Sequence, residues 1–213
     1  MSDRAKSSQR PLTLSDYLLW ALLALLAFSL PQKPLLELDS SWRQALAYFL
    51  ERGFPFGESV VFTYGPLGFL MGNTYMGLFW GGYILWQTVF SIIAAGLILQ
   101  VGRLLTGLSK FSYFIFFVLW GMGYADALHM IIIAFCGWYM IQRLAKEASP
   151  WAIPFGLLLA VMAAIKFTNL LFTGFVVLVV AAYAFRIGHK KSALRLFLSY
   201  SVGFTVIWML CGQ

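Results

Sequence analysis

An all-α polytopic membrane protein with about seven transmembrane helices is the fold this sequence predicts, and three observations carry the prediction. Hydrophobic residues make up 61% of the chain and charged residues 11%, far from the balance of a soluble domain. The apolar residues fall in runs of bilayer-spanning length. The basic residues gather in the short polar breaks between those runs, where they orient spans. A net charge of +7 would suggest a nucleic-acid partner in a soluble protein. Here topology accounts for it, and the many aromatic residues read as membrane packing and interface belts. Cys136 and Cys211 lie in apolar runs without zinc-type spacing.

Residues 1–11 form a polar, basic N-terminus that the positive-inside rule places in the cytoplasm. Residues 12–213 read as one transmembrane domain. The first span is Leu12 to Leu30, with Asp16 near its cytoplasmic mouth. It is not a cleavable signal, because Pro31-Gln32-Lys33-Pro34 follows it where a small-residue cleavage site would stand. The second span is Leu78 to Val101, and Gly77 with Gly81 forms a GxxxG pattern that admits a closely approaching helix.

Two later apolar stretches are too long for one span. Phe111 to Ile141 is broken at Gly121 to Asp126, and Trp151 to Phe185 at Lys166 to Thr168. Hairpins at both breaks keep Arg103, Lys110, Arg143, Lys146, Arg186, Lys190 and Lys191 on one side. A last span runs from Leu196 to about Cys211. The count is seven spans, with eleven of the fifteen Lys and Arg inside. The chain stops directly after a span, which fits a natural end and the front part of a longer protein equally.

Between the first two spans lies a long extracytoplasmic loop, residues 31–77. Trp42, Ala45, Leu46, Phe49 and Leu50 recur at helical spacing, with Arg43, Gln44, Glu51 and Arg52 opposite. Such a helix is expected to lie flat at the membrane interface, ended by Gly53, Pro55 and Gly57. Tyr64-Gly65-Pro66 is a turn signal further on.

The arms Phe111 to Gly123, Ala127 to Ile141 and Trp151 to Ile165 are short. At 1.5 Å per residue each reaches roughly 20 Å against a core of about 30 Å. Asp126 and Lys166 would then sit in an outward-facing recess roughly 8–10 Å deep. Charges at that depth need a protein-lined cavity and a partner, so the two are expected to approach each other or share a ligand.

Asp39 immediately precedes the amphipathic helix. It reads as an N-cap or as a general base that takes a proton from an acceptor hydroxyl. Glu37 lies on a less constrained segment. Asp126 and His129 share a helix face; Asp126 reads as a cap, or with His129 as two of the ligands a divalent metal needs. Two ligands do not make a site, so a metal stays an open alternative and no cofactor is assigned. Lys166 reads as a snorkelling lysine or as the cation that meets a phosphate. Arg43 and Arg52 suit the same work, or lipid headgroups.

The acidic residue soon after the first span (Asp39 in LELDSSW), the helix WRQALAYFLERG, the element FTYGPL with Tyr64, Asp126 in YADALHMIIIAF and the break IKFTNLLF together resemble the GT-C superfamily of membrane glycosyltransferases. The resemblance is closest to the bacterial relatives of protein O-mannosyltransferases. It implies a module of seven N-terminal spans in the cytoplasmic membrane. It implies a polyprenyl-phosphate-linked sugar donor and an extracytoplasmic glycan, lipid or protein acceptor, with Asp39 as catalytic base. The sequence departs from the family where a paired Asp-Glu is common, since Ser40 follows Asp39. Further spans and a soluble domain are also usual there. Asp126, Lys166, Arg43, Tyr64 and His129 are the expected substrate-binding residues. The alternatives are a transporter or lipid-handling protein that binds a similar ligand without chemistry, and a structural subunit of an envelope assembly.

Overall fold

The structure, a computed structural model, describes residues 11–33, 38–60, 63–72, 77–121, 125–146 and 150–211. Its elements are helical: α1 (Leu14–Ala27), α2 (Leu38–Glu51), α3 (Trp80–Gly102), α4 (Gly107–Phe116), α5 (Ala125–Leu144), α6 (Ala152–Ile165), α7 (Phe167–Arg186) and α8 (Lys190–Cys211). Short 3-10 turns lie at Gly68–Leu70 and Gly77–Phe79, and α4 runs on into a π turn, Phe117–Gly121. Four helices, α3, α5, α7 and α8, are long and apolar enough to cross a membrane, while α1, α4 and α6 are apolar but shorter. The faces they leave exposed agree. Leu171, Phe175 and Leu178 form an uncovered stripe on α7, whereas Thr173, Val176, Val177 and Val180 point inward. Such stripes suit lipid and not water. The chain is a helical membrane protein.

The chain packs as two compact units, Met1–Ser29 with Ile84–Phe135 and Leu30–Tyr83 with Cys136–Gln213. In the first, Thr13 opens α1 with a capping box completed by Asp16. Buried or half-buried aromatics then tie the helices through their polar tips, which need partners away from water. The Trp20 indole donates to the Ile92 carbonyl at 3.0 Å, and the Tyr113 hydroxyl to the Ile98 carbonyl at 2.9 Å.

The second unit is built on α6, α7 and α8. Added Cβ atoms show how closely they pack. One on Gly156 would collide with Ser199 and the Leu196 carbonyl, and one on Gly203 would crowd Leu157 and Ala160. Residue numbers rise together in these pairs, so α6 and α8 run parallel. Thr173 meets Tyr200 across the short turn that links α7 to α8, so α7 runs antiparallel to α8 and therefore to α6. The expected hairpin at Lys166 is real. Its closed end shares one end of the bundle with Trp208, and the opposite end carries Arg186 and Lys190. Tyr139, which binds Arg143, packs with its ring centroid 5.5 Å from that of Phe155 near the start of α6, so Arg143 belongs to that second end.

Three expectations change. The first span is expected at Leu12 to Leu30, but α1 is 14 residues long, because the capping box starts it and Phe28 turns extended ahead of Pro31. The GxxxG glycines approach no helix: an added Cβ on Gly77 or Gly81 meets nothing within 4 Å among the described residues. Glycine spacing permits close approach without compelling it. Residues 122–124 of the expected break lie outside the described residues, and α5 begins at Ala125 and has 20 residues, about 30 Å of helix, longer than the expected arm Ala127 to Ile141. That arm is long enough to span the core, whereas α6, with 14 residues, is as short as expected.

Candidate functional site

The chain must abandon helical geometry at Lys166, which is extended (φ −151°, ψ 142°) between the end of α6 and the start of α7. A helix end leaves carbonyls without partners and a helix start leaves amides. Within a bilayer such groups must be satisfied by protein. The loop supplies what is missing. Gly65 N–H donates to the Ile165 carbonyl at 3.0 Å, Leu67 N–H to the Ala164 carbonyl at 3.1 Å, and Phe167 N–H donates to the Thr63 carbonyl at 2.8 Å. Tyr64 and Lys166 thereby form an antiparallel bridge. Residues 63–67 are a strap that caps both helices at once.

The strap's sequence suits this task. An added Cβ on Gly65 would collide with the Ala164 carbonyl, so only glycine fits. Gly68 N–H bonds the Gly65 carbonyl at 2.9 Å, with Pro66 and Leu67 as the central residues. Proline's fixed φ favours the first of these positions.

Side chains follow from that geometry. The half-buried Lys166 Nζ donates to the Tyr64 hydroxyl at 3.3 Å and lies 4.7 Å from the ring centroid. Tyr64 rests on Trp42, ring centroids 4.6 Å apart. The predicted stripe of α2 lies behind: Leu46 is buried with Phe56 and Val60, and Trp42, Phe49, Leu50, Tyr64 and Trp208 pack on them. The stripe therefore faces protein rather than the expected membrane interface. The reason is local. Gly53 (φ 68°) closes α2, with Phe54 N–H on the Phe49 carbonyl and Gly53 N–H on the Leu50 carbonyl. This left-handed stop turns Phe56 and Val60 back onto the helix.

No family model, curated protein or solved structure matches the chain. The site rests on its own geometry.

Of the residues singled out from sequence, Tyr64 and Lys166 are brought together. Arg43 lies on α2, its guanidinium 5.2 Å from the centroid of the Trp42 ring. Asp39 does not precede α2, which begins at Leu38, but stands in its first turn, where a carboxylate favours the helix dipole. Its side chain and all of Glu37 lie outside the described residues. Asp126 and His129 belong to the first unit, in the first turns of α5. Asp126 is exposed and His129 buried, with Nδ1 2.8 Å from the Ala125 carbonyl and its ring stacked 4.3 Å from Phe90. Nδ1 facing a carbonyl is the protonated nitrogen. Among the described residues no three His, Cys, Asp or Glu side chains gather as a metal site.

Sequence reasoning missed the polar column beneath Lys166. Asn169 and Thr173 are buried on α7, and the Thr173 hydroxyl lies 2.8 Å from the Asn169 carbonyl and 2.9 Å from the Tyr200 hydroxyl. The signal was available, since 166, 169 and 173 follow one helix face.

Chemically the site offers a cation, a phenol and the positive end of α7 at one bundle end, a set that attracts an anion. Tyr64→Phe deletes one hydrogen bond and keeps the ring, so it is expected to cost about 1 kcal/mol of stability at most. Tyr64→Ala also removes the ring from the Leu46 cluster and is expected to cost about 3 kcal/mol. Thermal unfolding in detergent checks the order.

Proposed function

We propose that this chain is a GT-C-like, seven-span module of the cytoplasmic membrane that transfers a sugar from a polyprenyl-phosphate carrier to an extracytoplasmic hydroxyl. The observation that carries the reading is the strapped helix break, which holds Lys166 and Tyr64 at the start of α7. The carrier's tail lies in lipid and its phosphate meets Lys166. Asp39 deprotonates the acceptor, and the cation stabilises the leaving phosphate as charge develops. The three shorter apolar helices, α1, α4 and α6, make up the seven spans with the four longer ones.

Charge supports the sidedness. Arg143, Arg186 and Lys190 share one end of the second unit while Lys166 and the loop share the other, and basic ends face the cytoplasm. Cysteines placed singly at Glu58 and Lys190, in a background lacking Cys136 and Cys211, are expected to differ. An impermeant thiol reagent labels the first in sealed cells and spares the second; the reverse pattern overturns the orientation.

The function itself is tested by turnover. Release of polyprenyl phosphate from a labelled sugar carrier, dependent on acceptor, is the expected result. Vesicle flux of the carrier without cleavage would replace the transferase with a transporter.

A further inference from the structure

The Asn169 side-chain amide is an anomaly in the second unit. The residue is 1% exposed, and its Nδ2 has no hydrogen-bond partner among the described residues. Thr173 and Tyr200 nearby satisfy each other and backbone carbonyls. A buried donor left unmade is costly, and inside a bilayer bundle polar side chains tend to mark a ligand path. Asn169 is also placed for one. It stands in the first turn of α7, three residues after Lys166, the residue that caps that helix start. Helical Cα–Cβ bonds tilt toward the N-terminus, which directs this side chain back at the Lys166 joint.

We infer that Asn169 is a phosphate ligand of the polyprenyl carrier, made available when the Thr63–Leu67 strap lifts from the α6–α7 joint. This rests on the reading of Lys166 as the carrier-phosphate site. The amide is sealed in the strapped state, so lifting must come first. Lifting releases three donors on one helix start. The Thr63 carbonyl leaves the Phe167 N–H, Tyr64 leaves the Lys166 Nζ, and the Asn169 Nδ2 is uncovered. A phosphate monoester carries enough acceptor oxygens to take all three, at a helix N-terminus that favours its charge. The strap and the phosphate therefore compete for the same groups.

The test uses the full chain in detergent with farnesyl phosphate, a short polyprenyl monophosphate, and measures thermal unfolding and binding. Wild type is expected to be stabilised by farnesyl phosphate, and at most weakly by inorganic phosphate or phosphatidylglycerol. Equal effects of the three would overturn the carrier as ligand. Asn169→Leu removes the unpartnered donor, so the unliganded protein is expected to unfold no earlier than wild type while binding falls at least tenfold. Asn169→Asp, nearly the same shape but anionic, is expected to bind more weakly still. If Asn169→Leu lowers the unliganded unfolding temperature, the residue is structural and the inference fails. If Asn169→Leu binds within twofold of wild type while Lys166→Ala loses binding, the inference fails and the phosphate site survives. If wild type does not bind, both fall.

Discussion

Gly65→Ala is expected to be among the most damaging single-methyl changes available in this chain. Its added Cβ meets the Ala164 carbonyl, which is backbone at the end of a buried helix and cannot rotate away. Relief requires the strap to move, which lengthens the Gly65 to Ile165 and Leu67 to Ala164 hydrogen bonds. Overpacking costs about 1–3 kcal/mol and each lost bond about 0.5–1.5 kcal/mol. A total near 3 kcal/mol is a large share of a stability that rarely exceeds about 15 kcal/mol. The expected result is early thermal unfolding and rapid proteolysis of the loop. Gly81→Ala is the control. Nothing among the described residues lies within 4 Å of its added Cβ, and at this position in the first turn of α3 alanine is expected to be neutral or mildly stabilising. Equal behaviour of the two variants would mean that the strap does not hold the joint.

The contrast between these glycines shows what the sequence made legible. Gly77 and Gly81 carry a named spacing and approach nothing among the described residues, whereas Gly156 and Gly203 carry none and set the α6–α8 contact. Spacing records what a helix face permits; the partner decides whether it is used. The break at Lys166 could be read because a lysine is costly inside an apolar run and so marks a place where the run is interrupted. The α2 stripe could be read because its period is helical. What covers that stripe could not, because Trp208 lies far away in sequence. The strap was hidden for a stronger reason. It is made of main-chain bonds between residues about a hundred positions apart, and main-chain bonds leave almost no mark on side-chain choice. Gly65 alone carries that mark, and a Gly-Pro pair reads first as a turn. Helix limits were blurred where capping outranks hydropathy, as at Thr13, which starts α1 after the apolar run has begun.

Asp39→Asn is expected to insert and fold normally and to lose roughly two to four orders of magnitude in transfer, the usual range for general-base removal. The argument is one of rigidity and chemistry. Asp39 belongs to the first turn of α2, and α2 is fixed to the strap by the contact of Trp42 with Tyr64 and by the Leu46 cluster. A base on that helix is held in register with the joint at Lys166. Glu37 lies outside the described residues. Asparagine keeps the shape and the helix-start preference of aspartate, so lost folding is not expected to account for lost turnover. Glu37→Gln is expected to lose far less. Both variants should be measured for polyprenyl phosphate release at saturating carrier, with helical content and labelling at position 58 as checks on folding. Near-normal release by Asp39→Asn, together with its abolition by Glu37→Gln, would move the base to Glu37. Near-normal release by both would remove general-base catalysis from this loop altogether.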